Sequence, residues 1–348
     1  MQIDFHHAVT YVAARCAGFK DSEADTIAYA AQYVDDSTSS GPVWFNNKAM
    51  YLRCSSAHCS LDLSNLKDEE NHVVWLPFHF LPGNGGLPAG QDPTGSLINK
   101  IVCHPGSSVA KEMLDAAIAD QGKLYGLHRL GITMHVYADT WAHQGFAGVL
   151  HEINEVDKLK ETSTKKVFKG GLPKFLRSIL DDTIPPLGHG RALTFPDMPF
   201  LSWEYTNGQG KRVKRNNTTL FLDAAEAMCR AMQRYRGVKV TGLSTADTSK
   251  LKDFFLLYTN KDGKVRHQKW IKAIADGAFS FGKAKVSYAA YGRSSWKADA
   301  LGTSHNMPVY RYTPYFLKSD WKFFHDALQQ HRLVVCHEIL PRFGVCAA

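Results

Sequence analysis

The sequence predicts a mainly α-helical protein, a multi-helix bundle with long irregular loops and at most a small β-hairpin. Apolar residues recur at helical spacing through most of the 348-residue chain, which is the pattern of amphipathic helices. The stretch from 41 to 106 is instead rich in Pro, Gly, Ser and Asn and holds only short apolar segments. We expect irregular connections there, with at most a short strand pair.

Two helices are expected to open the fold as an antiparallel pair. An apolar stripe through Phe5, Val9 and Val12 predicts the first helix, and the second follows the capping signal at Asp21 and continues to about Val34. Later apolar periodicity predicts seven more helices, at about 109–119 (capped by Ser107 or Ser108), 124–156, 175–180, 220–235, 248–258, 266–279 and 320–339. The segment LYTNKDGKVRHQKW contains the Asp-Gly turn of a small hairpin or tight loop.

The chain is expected to divide into two regions of one domain. Its length suits one large domain or two ordinary ones. Because the candidate chemistry falls in the first part, residues 1–205 are predicted to form a metal-binding catalytic helical core. Residues 206–348 are predicted to form an additional helical region packed on the same domain.

Composition limits the cellular setting and the partners. The N-terminal segment lacks the basic start and continuous apolar run of a signal peptide, and no apolar run reaches the length of about eighteen residues that a spanning helix needs. We therefore expect a cytoplasmic protein as synthesised, with leaderless export left open. Seven cysteines without a CxxC pair favour reduced thiols. A net charge of +8 favours anionic partners such as phosphates, nucleic acid or anionic lipid surfaces.

The central motif is RLGITMHVYADTWAHQGF, in which His135, Asp139 and His143 follow one another at spacings of four. Residues four apart lie on the same helical face, so these three side chains point the same way. The residues between them are largely apolar, which predicts that the polar ridge is buried. A buried carboxylate and imidazoles are costly unless something satisfies them, and a metal ion does so directly. The ridge spans roughly 12 Å, so we expect Asp139 to bridge two ions.

An ordinary structural role is the alternative for this ridge. His135 and His143 would then be core histidines, and Asp139 would pair with an arginine such as Arg129. This explanation suits any one of these residues taken alone. Three ligand-type side chains in register favour the metal site.

Further ligands are expected from other segments. They are His6 or His7 on the first helix, Asp35 and Asp36 at the end of the second, His79 in WLPFHFLPG, and His189 and Asp197 around GHGRALTFPD. Two acids at a helix C-terminus oppose the helix dipole, so a positive group should compensate Asp35 and Asp36. His189 lies between two glycines, as expected for a side chain presented by a tight loop.

The order of these residues resembles the zinc-dependent phospholipase C and single-strand nuclease superfamily, through an uncharacterised bacterial family that shares AQYVDD, PFHFLPG, HVYADTWAHQGF and PPLGH-type segments. The resemblance covers roughly residues 4 to 205. Those enzymes bind three zinc ions, partly through the amine and carbonyl of an N-terminal Trp. This chain begins with Met, and Asp4 is the candidate substitute.

The resemblance implies three ligand sets and a phosphodiester hydrolase. Asp35 or Asp36, His79, His135 and Asp139 would surround one zinc ion, His143, His189 and possibly Asp197 a second, and His6 with Asp139 a third. Asp35 or Asp36 would accept the proton of the attacking water. The substrate would be a phospholipid or a nucleic acid.

A binding protein is the alternative function. In that case the helical protein would be non-catalytic, and one structural metal ion would clamp its helices. Structural zinc sites are closed by four protein ligands, whereas catalytic sites keep a position for water. Two or three ions per chain favour the enzyme, and one ion favours the clamp.

Overall fold

The computed structural model describes residues 1–57, 68–164 and 187–346 of the chain. A π-helical turn (Asp4–Val9) leads into the first helix, and a second π-helical turn (Val334–Ile339) extends the last one. The helices are α1 (Thr10–Cys16), α2 (Asp21–Asp36), α3 (Asp68–Phe78), α4 (Ile98–Ile101), α5 (Ser108–Ala119), α6 (Gly126–Ala142), α7 (Asn217–Tyr235), α8 (Thr245–Leu257), α9 (Gly263–Asp276), α10 (Trp296–Leu301) and α11 (Asp320–Leu333). The strands are β1 (Gly41–Trp44), β2 (Met50–Arg53), β3 (Val156–Glu161), β4 (Ser202–Asn207) and β5 (Arg212–Asn216).

Helix α6 forms the centre of the molecule. It contacts α2, α3, α5, α7 and α11, and all of its residues except Leu127 are buried. The polar side chains of a helix that is enclosed on every side cannot reach solvent. Each of them must therefore bond to a partner inside the protein. The His135 and Asp139 ridge lies on this helix, which confirms that the ridge is buried.

The predicted fold class is wrong in its account of strands. The chain is a mixed α/β structure, 52% helical with about 10% strand, and it has an antiparallel β1–β2 hairpin and a three-stranded antiparallel sheet in the order β3-β4-β5. The second sheet escaped prediction because its strands are short and largely polar, and β3 and β4 lie some forty residues apart in the chain. Only Trp203 and Tyr205 of β4 alternate inward, into a small core of their own.

Several predicted helices have different ends. The longest one stops at Ala142 instead of reaching Val156, and the chain then turns through Gly145 at a positive φ of 81° and enters β3. Such a φ suits glycine and ends a helix. The Asp-Gly turn forms no hairpin, because Asp262 instead caps α9 through its side chain. The predicted helix at 175–180 lies outside the described residues.

The second half of the chain packs onto the first. Helix α7 contacts α1 and α6, and α9 contacts the turn Asp4–Val9. The predicted boundary near residue 205 falls within β4 (Ser202–Asn207), and the division into two regions stays a prediction. In the described part of the chain, none of the helices has the length and apolarity needed to cross a membrane.

Gly131 allows α2 and α6 to approach closely. A Cβ atom added there would lie 2.4 Å from the carbonyl oxygen of Ile27 and 2.7 Å from the Cβ of Ala30. Both distances are far below van der Waals contact, and the first involves backbone that cannot rotate away. The absence of a side chain at Gly131 therefore sets the distance between the two helices that carry Asp35, His135 and Asp139.

We expect Gly131→Ala to lower the free energy of unfolding by about 1 to 3 kcal/mol, because the added methyl group forces the two helices apart. Denaturant unfolding followed by circular dichroism measures this change. Gly122→Ala is the matched control, since a Cβ there meets nothing within 4 Å. An equal loss in both variants would contradict the packing argument.

Candidate metal centre

The Asp139 carboxylate is the centre of the site. It is 1% exposed, and five groups from distant parts of the chain surround its two oxygens. The distances to its nearer oxygen are 2.6 Å from the Met1 amine, 3.2 Å from His6 Nε2, 3.3 Å from His135 Nε2, 3.5 Å from His79 Nδ1 and 3.7 Å from His143 Nδ1.

The predicted structural alternative placed Arg129 beside Asp139. The structure instead places the Arg129 guanidinium 4.0 Å from Asp120. The Met1 amine is the group that donates a hydrogen bond to Asp139, at its Oδ1 atom. Its Oδ2 atom has no hydrogen-bond partner within the described ranges.

Backbone carbonyls orient the histidine rings of the site. Four rings donate one N–H to a carbonyl oxygen and turn the other nitrogen towards the carboxylates. The pairs are His79 Nε2 with Ser56 at 2.9 Å, His135 Nδ1 with Ala31 at 2.8 Å, His143 Nδ1 with His79 at 2.7 Å and His189 Nδ1 with Leu193 at 2.9 Å. Metal-ligating histidines almost always have their second nitrogen fixed in this way.

In His79 and His135, the ring nitrogens that do not bond to a backbone carbonyl face each other. His79 Nδ1 and His135 Nε2 lie 3.2 Å apart. Because a carbonyl only accepts hydrogen bonds, the nitrogen that faces each carbonyl carries the proton of the neutral ring. In the neutral rings the two facing nitrogens are then both lone-pair acceptors, which need a proton or another cation between them. A cation between them and Asp139 would satisfy both.

A second group of donors lies at the C-terminal end of α6. His143 Nε2 is 3.8 Å from Asp197 Oδ1, and His189 Nε2 is 3.7 Å from Asp197 Oδ2. The tight turn predicted for His189 is present: Gly188 has φ 54°, and a Cβ there would lie 2.2 Å from the Phe80 ring. Leu193, whose carbonyl orients His189, also has a positive φ of 54°. Such strain in a non-glycine residue concentrates at functional sites.

The structure separates two pairs of neighbouring candidates. Asp35 Oδ1 lies 3.8 Å from His135 Nε2 and 3.9 Å from His79 Nδ1, whereas Asp36 accepts a hydrogen bond from Tyr288 and contacts none of these histidines in the described part of the chain. The Gln32 amide donates to both carboxylates.

At the first turn, the ring of His6 stacks on His135 with centroids 3.8 Å apart, and His7 instead shares a hydrogen bond with His267, with 2.9 Å between His7 Nδ1 and His267 Nε2. Neighbouring residues of a helix point about 100° apart, so only one of each pair can face the site.

Burial and neighbouring charges shift the pKa values of the acids and of two histidines in this site. Burial opposes ionisation of Asp139, but the nearby His143, Met1 amine and His6 hold its pKa well below the usual value. Burial lowers the pKa of His6 and of His189, which keeps their lone pairs free. Burial raises the pKa of Asp35 to about 6.

The donors fall into three groups that could each hold a metal ion. Within each group the donor atoms lie within 4.8 Å of one another, and the groups are His6 with Asp35 and His135, His79 with His135 and Asp139, and His143 with His189 and Asp197. Of the candidates chosen from the sequence, Asp36, His7 and Asp4 fall outside these groups. Several of the donor atoms are buried without hydrogen-bond partners in the described part of the chain, namely His6 Nδ1 and Nε2, Asp139 Oδ2, His143 Nε2 and Asp197 Oδ1.

The amine of Met1 is a charged group of the site that the sequence motifs did not indicate. It is buried, and it lies 3.4 Å from Asp197 as well as 2.6 Å from Asp139. These two carboxylates and Asp35 raise its pKa to about 11, although burial acts in the opposite direction. Asp4, which we expected to replace the N-terminal Trp ligand, bonds to another residue. The Arg266 guanidinium donates two hydrogen bonds to it, at 2.6 and 2.9 Å.

The Asp4–Arg266 pair positions the first turn and is predicted to be structural. Both side chains are at most 1% exposed, so Asp4→Ala would leave a buried guanidinium without its counter-charge. We expect the free energy of unfolding to fall by about 3 to 5 kcal/mol, measured by denaturant titration. Asp276→Ala, which removes the exposed pair with Lys272, is the control and should leave stability unchanged. A stable Asp4→Ala protein would contradict this role.

Comparisons with known proteins point to one family. Searches of curated proteins and of solved structures found no match. A model described as a family of unknown function (DUF6765) matches residues 1–339. Since this match covers nearly the whole chain, the protein belongs to the DUF6765 family.

Proposed function

We propose that the protein is a metal-dependent phosphodiester hydrolase, phospholipase C-like or nuclease-like, with a cluster of two or three zinc ions in the three donor groups. The observation that supports this most is the pair of facing nitrogens of His79 and His135, 3.2 Å apart beside the buried Asp139. Such an arrangement is costly in a protein interior without a cation.

The donor set favours zinc. Each group combines imidazole nitrogens with carboxylate oxygens, and none contains a thiolate. Zinc binds such ligands readily, whereas magnesium and calcium prefer all-oxygen sites. Each group has only three of these protein donors, which resembles catalytic sites more than closed structural ones.

The proposed reaction follows from the arrangement of the residues. Zinc ions would supply positive charge to a phosphate group and lower the pKa of water. Asp139 would link the donor groups, because its Oδ1 atom lies 3.2 Å from His6 and its Oδ2 atom lies 3.3 Å from His135 and 3.7 Å from His143. Asp35 is the most exposed acid of the site, with 32% of its side chain accessible, and its pKa is raised to about 6. It would accept the proton of the attacking water.

The resemblance to zinc-dependent phospholipases C and single-strand nucleases gives the proposal its substrate class. The ligand set that it implies for a second ion, His143, His189 and Asp197, coincides with one of the three donor groups. The buried Met1 amine lies at Asp139 and Asp197, and those enzymes use an N-terminal amine as a ligand. The net charge of +8 suits a phosphate-containing substrate.

The first test is the metal content of the purified protein, measured by elemental analysis. We expect two or three equivalents of zinc per chain, one for each donor group occupied. Asp139→Ala should lose more than one equivalent, because Asp139 contacts ligands of every group. His189→Ala should lose about one, because His189 belongs to a single group.

His104→Ala is the control for the metal measurement, since His104 is exposed and belongs to none of the groups. It should keep the wild-type zinc content. A single ion per chain, lost with little effect on anything but stability, would support a structural clamp instead of a hydrolase.

The second test is hydrolysis of a generic phosphodiester such as bis(p-nitrophenyl) phosphate. We expect turnover that a chelator abolishes and added zinc restores. Asp35→Asn should lower kcat by about 100-fold or more, the usual loss when a general base is removed. Asp36→Asn should keep most of the activity, because Asp36 bonds to Tyr288 and belongs to none of the donor groups.

These neighbouring variants separate a catalytic role from a general effect on the end of α2. Equal losses in both would indicate damage to the helix and not chemistry. Full activity of Asp35→Asn, or of metal-free protein, would contradict the proposed mechanism.

A further inference from the structure

The β1–β2 hairpin presents an apolar face to solvent. Its register pairs Trp44 with Met50 and Pro42 with Leu52, so these four side chains share one face of the two-stranded sheet. All four are exposed, with Trp44, Met50 and Leu52 between 50% and 55% accessible. The opposite face is apolar as well, since Val43 and the half-buried Tyr51 pack against the core. A hairpin of a globular protein normally turns polar side chains outward.

A neighbouring segment extends this apolar face. The backbone of Tyr310 exchanges hydrogen bonds with Trp44 and Asn46, which places residues 307–312 beside β1. Met307 and Val309 on this segment are about half exposed, 50% and 51%. Contiguous exposed apolar side chains of this kind mark an interaction surface. We call the set Trp44, Met50, Leu52, Met307 and Val309 the apolar patch.

The surroundings of the apolar patch are basic. Residues 37–57 and 300–319 contain no Asp or Glu, and they carry Lys48, Arg53, Arg311 and Lys318. Lys297 joins them, because its amine and the Arg53 guanidinium both donate hydrogen bonds to Asn306. Partial burial and the charge of Arg53 lower the pKa of Lys297 to about 8. The acids that border these segments bond to other residues, Asp299 to Tyr315, Asp320 to His128 and Asp326 to Tyr51 and Lys322.

We propose that the apolar patch docks onto the surface of an anionic phospholipid membrane. Segments that insert into the headgroup region of a bilayer combine Trp and aliphatic side chains on one face with Lys and Arg in the flanking residues. The apolar patch and its neighbouring segments have this composition. Lys and Arg near such a surface are attracted by anionic headgroups. Single-stranded nucleic acid also attracts basic residues, but its binding relies on aromatic rings that stack on bases. Four of the five patch residues are aliphatic.

The hairpin is attached directly to the candidate metal centre. At its base, the carbonyl of Ser56 accepts the hydrogen bond of His79, and its hydroxyl donates to the carbonyl of Val34. The strand β1 begins five residues after Asp36. A short segment of chain therefore joins the patch to the candidate metal centre. Docking depends on the patch alone, whereas a phospholipid substrate also rests on the proposed function.

The test is binding of the full chain to sedimented vesicles of phosphatidylcholine, with and without phosphatidylserine. We expect clear binding to the mixed vesicles and weaker binding to phosphatidylcholine alone. The double variant Trp44→Ser/Leu52→Ser should bind at least about tenfold more weakly, because it removes most of the inserted apolar surface. Lys48→Gln/Arg311→Gln should weaken binding to the mixed vesicles by about tenfold, because two attractive charges are lost.

Matched controls come from α8, where Leu256 and Leu257 are also exposed. Leu256→Ser/Leu257→Ser and Lys250→Gln/Lys252→Gln should bind vesicles as the wild type does. Circular dichroism shows whether each variant is folded, and the charge pair provides an independent readout if the apolar pair unfolds. Wild-type binding by both patch variants would overturn the proposal. So would a wild type that binds single-stranded oligonucleotide but no vesicle.

The docking proposal and the hydrolase proposal can be contradicted independently of each other. The patch variants should keep the zinc content and the hydrolysis of a small phosphodiester, because none of the substituted residues belongs to a donor group. Vesicle binding without hydrolysis would support the docking surface and contradict the hydrolase. If the protein hydrolyses the phosphodiester and the patch variants bind vesicles as the wild type does, the hydrolase is supported and the docking surface is contradicted.

Discussion

The structure depends on one buried carboxylate. Asp139 lies in the last turn of a helix that is enclosed on all sides, and its positive and imidazole neighbours come from the N-terminus, the first turn, α6 itself and the segment after α3. An unpaired carboxylate in such a place would cost several kcal/mol. The fold is therefore arranged so that these segments meet at Asp139, and the same convergence creates the candidate site.

The backbone has as large a part in the site as the side chains. The carbonyls that orient His79, His135, His143 and His189 belong to a loop, to α2, to the end of α3 and to a strained turn. Each carbonyl leaves one ring nitrogen free and fixes its direction. Because Gly131 brings α2 against α6, the carbonyl of Ala31 reaches His135. The close packing of α2 against α6 thus also fixes the orientation of the His135 ring.

The surface next to the site has the opposite character. The interior concentrates carboxylates and imidazoles, whereas the hairpin and the 300–319 segment combine exposed apolar side chains with Lys and Arg and lack acids. Short connections through Ser37 and Ser56 join the two, since Ser37 donates a hydrogen bond to the carbonyl of Cys54 and Ser56 contacts both Val34 and His79.

The sequence by itself determined what is local. Periodicity predicted most helices, and the spacing of His135, Asp139 and His143 predicted one buried face, because the geometry of a helix repeats within a single segment. Adjacent candidates could not be separated in this way. The choice of Asp35 over Asp36 and of His6 over His7 depends on how each helix is rotated against α6, which only packing decides. The same holds for the sheet β3-β4-β5 and for the Met1 amine, because strand pairing and the path of the N-terminus depend on contacts between residues far apart in the chain.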